Sequence, residues 1–361
     1  MSDRLMKPQR GTTSPNQEPG RPTTSTRLDA DQPAPILFDG EHQPITTRNS
    51  WEVQRKSLIS AWEAALGAAP SKPDNREIEV LEQELLPEHS VIRERIQYQV
   101  EPGFTTQVYR LAPIKPTTGP RPGCLVFHST VDHTIRQPAG LEGPPELHLG
   151  LQLAQLGMIA LCPMNFLWRF GTGPDKFQQA VAWHQEQHPE STGMALMLHE
   201  ARIALDVLRR DSRVEGARIG AIGHSLGAKE VLYLAAFEPQ IHAAVFSEGG
   251  LALPDSNWDA PWYLGPQVRR PGFPLDHGRL LALIAPRPFL VIGGDSADGD
   301  RTWPTIEACR PVWDLYPRTD SGPGQARSES LLGFLNHHGG HQLPSQAHDH
   351  ALAWLQSHLG S

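Results

Sequence analysis

From about residue 122 onward, short apolar runs alternate with segments of helical period, and this alternation restricts the fold more than any other feature. Cys124 to His128, Met158 to Cys162, Arg218 to Ile222, Ile241 to Phe246, Phe289 to Ile292 and Leu331 to Asn336 each have the length and composition of a strand buried on both faces. Between them lie helix-like stretches, such as Leu147 to Leu156 and the run carrying Leu198, Ala201, Leu205 and Leu208. A last helix starts at Ser345, read as its cap, with Leu352, Leu355 and Leu359 turned inward. Strand and helix in alternation predict a mostly parallel α/β sheet covered on both faces. Val91 to Val100 and Thr105 to Leu111 add an antiparallel pair around Pro102-Gly103, which brings the expected sheet to about eight strands.

The N-terminal part reads differently. Residues 1–34 are rich in Pro, Thr, Ser, Gln and charge and nearly free of aromatics, so they cannot bury enough apolar surface to offset ordering entropy and are expected to be disordered. Residues 35–84 form an expected helical extension packed on the main domain. Trp51, Val53, Leu58, Trp62 and Leu66 are placed on one side of a helix that Gly67 ends. Residues 85–361 then make the main α/β domain.

Three cysteines, Cys124, Cys162 and Cys309, stand far apart without a CxxC pair and read as reduced, buried apolar fillers. The net charge of −8 argues against nucleic-acid or anionic-membrane partners. With no apolar leader in the first twenty residues, the expected location is the cytoplasm.

The chemistry concentrates at Gly223-His224-Ser225-Leu226-Gly227. The pattern G-x-S-x-G carries little weight alone, but here it follows a buried strand and precedes a helix-like run containing Val231, Leu232 and Leu234. Such a turn raises the Ser225 hydroxyl above the sheet, and the flanking glycines let strand and helix cross closely. A serine hydroxyl needs a base. His341 closes Asn336-His337-His338-Gly339-Gly340-His341 between the last strand and the last helix and is the first choice, with His337 and His338 as rivals. Three histidines in five residues also raise the question of a metal. No carboxylate or cysteine stands with them at ligand spacing in the sequence, so no metal and no cofactor are expected.

Two loops offer the acid that would orient the imidazole. Asp298, in the Asp295-to-Asp300 stretch after Phe289 to Ile292, is the first choice. Glu248, at the end of Ile241 to Phe246, is the second. Donors for a developing oxyanion are expected from the backbone N–H of Leu226 and from the amide of Ser129 or Thr130, with His128 a structural residue at its strand end. Two long loops, Asn165 to Gly193 and Gly249 to Asp276, follow strand C-terminal ends, where open α/β sheets bind ligands. Phe166, Trp168 and Phe170 in the first, and Trp258, Trp262 and Tyr263 in the second, either wall a substrate site or pack the loops onto the body. Arg169, Arg269 and Arg270 are candidates for a substrate carboxylate, against the alternative of plain solvation.

The elbow, the serine–acid–histidine order and the late Gly-Gly-His resemble the α/β-hydrolase superfamily over roughly residues 85–360. His128 to Leu141 with its Pro138-Ala139-Gly140-Leu141, Leu281 to Pro288, and Ser296 to Trp303 resemble the dienelactone-hydrolase-related serine esterase branch. That branch is similar in places to acetyl xylan and glucuronoyl esterases. Dienelactone hydrolases carry a cysteine nucleophile where this chain has Ser225. Glucuronoyl esterases can place their acid where Glu248 sits, and carry an arginine where this chain has Leu226. The resemblance implies a carboxylic-ester hydrolase acting through an acyl-enzyme on a small-molecule ester, including a sugar or acidic ester. The alternatives are a peptidase or amidase resembling the prolyl-oligopeptidase catalytic domain, and a non-catalytic binding protein on the same fold.

Overall fold

The computed structural model describes residues 35–73, 77–116, 119–316 and 331–360; the expectation for residues 1–34 lies outside this range. The chain enters through α1 (Arg48–Leu66), which Thr47 caps and Gly67 terminates. Trp51, Leu58, Trp62 and Leu66 are buried, at spacings of seven, four and four. Val53, expected on the same side, is 72% exposed. Two positions past Trp51 is about 200° around the helix, which is the opposite face. Strand β1 (Glu79–Leu86) follows, then β2 (Val91–Glu101) and β3 (Phe104–Pro113).

Next come β4 (Arg121–Phe127), α2 (Leu149–Gln155), β5 (Ile159–Pro163), α3 (Pro174–Gln187) and α4 (Gly193–Arg210). The crossing at the centre is β6 (Val214–His224) into α5 (Leu226–Phe237), followed by β7 (Ala243–Ser247) and α6 (His277–Ala282). The chain ends with β8 (Phe289–Gly293), α7 (Trp303–Asp314), β9 (Leu332–Asn336) and α8 (Ser345–Leu359). Ser345 is the first residue of α8, not its cap; Pro344 occupies the cap position and offers no side-chain bond.

The sheet runs β1-β2-β3-β5-β4-β6-β7-β8-β9. Pairing is antiparallel from β1 to β5 and parallel from β5 through β9. The described residues thus hold nine strands instead of about eight. The added strand, β1, reads EVLEQELL and is exposed along most of its length. Its charges pair across the ladder, Glu82 with Arg95 and Glu84 with Arg93, so polar cross-strand pairs replace the apolar pattern that would have announced it. Because β1 belongs to the sheet, the expected domain boundary at residue 84 cuts through a strand.

One face of the sheet is covered by α2 and α8, the other by α4, α5, α6, α7 and α1. Every residue of α5 is buried. Trp62 of α1 meets the Tyr233 ring of α5 edge-on at 5.6 Å and stacks on His277 of α6 at 5.5 Å, so the N-terminal extension is part of the body behind α5. Cys124, Cys162 and Cys309 are free and buried. Among the described residues, no helix is long and apolar enough to cross a membrane.

Candidate active site

Strand β6 delivers the chain to Ser225, whose φ of 60° and ψ of −116° form a sharp, strained elbow. The glycines around it are required by contact. A Cβ at Gly223 would lie 2.3 Å from the Gly227 backbone, and one at Gly227 would lie 2.4 Å from the Phe127 carbonyl of β4. The elbow is tied to the neighbouring strand, because Ser225 N–H donates to the Ser247 carbonyl at 2.8 Å.

The hydroxyl of Ser225 lies 3.0 Å from His341 Nε2, and His341 Nδ1 lies 3.2 Å from Glu248 Oε2. A carboxylate at Nδ1 selects the tautomer with the proton there, leaving Nε2 to accept from Ser225. Glu248 is almost wholly buried and has φ 52°, a turn that aims its side chain along the sheet edge. The β8 loop holds its carboxylate: Gly294 N–H donates to Oε1, and Ala297 N–H to Oε2 at 2.8 Å.

Asp298, the first choice from sequence, stands elsewhere. Its buried carboxylate accepts from the backbone amides of Gly250 (2.7 Å) and Leu251 (2.8 Å) and from the Thr302 hydroxyl (3.2 Å). Burial pushes its carboxyl up to about 6 against these donors. It therefore fixes the turn just after Glu248, and Glu248 is the carboxylate at His341. Of the rival histidines, His338 turns its Nδ1 to Asp295 Oδ2 at 2.7 Å. His337 Nδ1 accepts from Gly339 N–H at 3.0 Å, inside its own loop.

The fold brings carboxylates to these histidines that sequence spacing did not. Asp295, Asp300 and His338 each place a ligand atom within 4.8 Å of the others, all exposed. Asn336 Nδ2 donates to both aspartates, at 2.6 and 2.9 Å, so the cluster satisfies itself with protein hydrogen bonds.

Leu226 opens α5, where a first-turn N–H has no partner inside the helix. Of the second pair of candidates, the Ser129 amide already donates to Gln137 Oε1 at 3.0 Å. Exposed Thr130 carries the remaining candidate amide. The loop bearing it is braced from behind. Burial holds His128 down to about 4; its neutral ring donates from Nδ1 to the Ser129 carbonyl and accepts Asn165 N–H at Nε2.

Asn165 Nδ2 in turn donates to buried Glu230 of α5 at 2.5 Å. Burial pushes the Glu230 carboxyl up to about 8, so it is protonated at neutral pH. Between its ordinary value and about 8, the folded chain holds a proton that the unfolded chain has released. Its contribution is therefore full in acid and is lost as pH rises through about 8. The expected result is a melting temperature that falls more steeply from pH 6 to pH 9 in the wild type than in Glu230→Gln, by about 2–4 °C or more. Parallel profiles in a thermal-shift series would refute it.

The proposed wall residues are mostly structural. Trp168 is buried, donates to Asp132 and sets its edge against His128. Arg169 is not available to a substrate carboxylate. Its guanidinium is buried between Glu101 (2.8 Å) and Glu200 (2.6 Å) and lies over Trp183 and Phe104. Arg269 pairs with Asp259 at the surface, and Arg270 is exposed. Trp258 is fully buried, with its indole N–H on the Gly250 carbonyl. Tyr263 is buried next to Thr130, and half-buried Trp262 packs on Phe177. About half of the first long loop is the helix α3.

Sequence reasoning passed over Lys229, Glu230 and His224. The first two are charges inside the otherwise apolar LGAKEVLYLAAF, a signal in its own right. Lys229 donates to Ser256 at 2.8 Å from 3.7 Å above the Trp258 ring, and burial lowers it to about 7. His224 lies under His341 with ring centroids 5.0 Å apart.

The chain is similar to known proteins in part of its sequence and in its fold. A family model described as BAAT / Acyl-CoA thioester hydrolase C terminal matches residues 202–259, which span the elbow and Glu248. No curated protein matches. Among solved structures, a glucuronoyl esterase from Solibacter usitatus superposes with TM-score 0.68 at 17% identity, covering 92% of this chain and all of that one. One from Teredinibacter turnerae gives 0.62 at 20% identity, with 90% and 88% covered. The glucuronoyl esterase catalytic domain from Hypocrea jecorina gives 0.61 at 17%, with 90% and 88% covered. The described chain has the α/β-hydrolase fold, and the proteins it resembles hydrolyse ester-type bonds.

Proposed function

We propose that this chain is a serine carboxylic-ester hydrolase working through an acyl-enzyme. The observation that carries the reading is the line from Ser225 Oγ through His341 to the buried Glu248 carboxylate, with the Leu226 amide beside it. Ser225 Oγ bonds to the ester carbonyl carbon while His341 Nε2 takes its proton. The carbonyl oxygen gains charge against the amides of Leu226 and Thr130. The acyl–oxygen bond then breaks, and the alkoxy oxygen keeps the electron pair and takes the proton from His341. Water repeats the sequence on the acyl-enzyme and restores Ser225.

An ester is favoured over an amide because the similar structures are named esterases and the matching family a thioester hydrolase. The acidic-ester form of the reading loses one of its three candidate arginines, Arg169, which is locked between two glutamates. Labelling by a fluorophosphonate, located by peptide mass, tests the proposal together with turnover of p-nitrophenyl acetate. The expected result is one label per chain, on Ser225, and measurable turnover. A chain that takes no label and turns over no ester is a binding protein on this fold. Faster turnover of Pro-containing anilides than of esters would make it an amidase.

A further inference from the structure

A cavity of about 350 Å³ opens beside His341, between the histidine loop and the turn at Pro144–Leu147. Its walls include Pro144, Glu146, Leu147, His224, His341 and Gln342. We infer that this cavity receives the alcohol half of the ester, and that this alcohol bears hydroxyl groups and no negative charge. The inference rests on the acyl-enzyme reading and adds which half of the substrate lies where.

The side follows from proton transfer. The leaving oxygen takes its proton from His341 Nε2, so the departing group stands on the imidazole side of Ser225. The oxyanion donors come from α5 and the Thr130 loop, and neither contributes to the cavity wall, whereas His341 does.

The chemistry follows from the lining. His224 is 4% exposed, and its Nδ1 is in a hydrogen bond with Ser247 Oγ at 3.0 Å. Among the described residues no partner meets its Nε2. Burial, followed by the nearby His341 and His337, lowers its pKa to about 3, so the ring is neutral and offers Nε2 to a hydroxyl. A ring nitrogen on a cavity wall without a protein partner is open to a ligand hydroxyl. Gln342 adds an amide, whose Nε2 is already given to the Gly339 carbonyl.

Charge selects further. No lysine or arginine lines the cavity, and Glu146 makes no ion pair among the described residues. An anionic alcohol would face a carboxylate with no cation to offset it. The volume lies at the small end of ligand pockets and has room for a small polyol.

The test uses two matched ester pairs and the variant Glu146→Lys, on a half-buried turn at the surface. Glyceryl monoacetate and 3-acetoxypropanoate share their acyl group and differ in alcohol charge. Methyl butyrate and monomethyl succinate share their alcohol and differ in acyl charge. In the wild type, kcat/KM for 3-acetoxypropanoate should lie about tenfold or more below that for glyceryl monoacetate. Glu146→Lys should close that gap by about tenfold, and shift the acyl-charged pair much less. Glu146→Gln should fall between. A shift confined to the acyl-charged pair would assign the cavity to the acyl half and overturn the inference, and so would a shift in neither pair. If none of the four esters is hydrolysed and no fluorophosphonate is taken up, the acyl-enzyme reading itself has failed and this inference falls with it.

Discussion

Ser225→Ala should lower kcat for p-nitrophenyl acetate by about four to six orders of magnitude, while leaving the melting temperature close to that of the wild type. Loss of function and retained stability belong together here for a physical reason. The hydroxyl is half-exposed, and the hydrogen bond it forms is the one with His341 Nε2, so its removal leaves no buried polar group without a partner. Alanine takes up the same positive φ at no greater cost than serine, and the close approach of Gly223 to Gly227 is untouched. His341→Ala should lose a similar amount. The double variant should be scarcely worse than either single one, because an unpaired base and an unactivated hydroxyl each contribute almost nothing alone. Additive losses would mean that the two side chains do not act as a unit. A loss of only about tenfold in Ser225→Ala would move the chemistry to another nucleophile.

How far each of these residues could be read in advance depends on how local its determinants are. Ser225 was legible because an elbow is a local object: a buried strand, two obligatory glycines and an apolar helix adjoin it in the chain. His341 was nearly so, since two glycines and the start of α8 confine it to the sheet edge. The acid was not. The loops after β7 and β8 both emerge on that edge, and each offers a carboxylate of sufficient reach. What separates them is tertiary. Glu248 turns at φ 52° and is received by two amides of the β8 loop, whereas Asp298, in that loop, reaches back to two amides after β7. The two loops exchange carboxylates, and no pattern within either one reveals the exchange. Strand β1 was hidden for a related reason, because an exposed edge strand draws its stability from cross-strand charge pairs with no apolar period. Helix α3 was hidden by aromatic and histidine content that reads as a binding loop, although Gly173 and Pro174 mark its start.

That exchange of carboxylates makes the second large effect a comparison. Glu248→Gln should cost about four orders of magnitude in kcat, in proportion to the loss known when a triad carboxylate becomes an amide. The glutamine can present its NH₂ to His341 Nδ1, which then carries its proton on Nε2 and cannot accept from Ser225. Glu248→Asp should be intermediate, since the charge survives while the shorter arm pulls it away from the imidazole. Asp298→Asn should behave differently. Its oxygens do not touch His341; they receive Gly250 N–H, Leu251 N–H and the Thr302 hydroxyl in a fully buried setting. The amide leaves one of those donors facing an NH₂, at a cost of about 1–3 kcal/mol. The expected result is a melting temperature lowered by several degrees, with kcat reduced by about tenfold or less through loosening of the turn that carries Glu248. Steady-state kinetics and thermal melts on the three variants separate the roles, because both amides leave a backbone donor facing an NH₂ and lower stability, while the loss of about four orders in turnover belongs to Glu248→Gln alone. If Asp298→Asn lost the four orders at unchanged melting temperature while Glu248→Gln stayed active, the acid would be Asp298, and His341 would have to swing away from Glu248 when substrate binds.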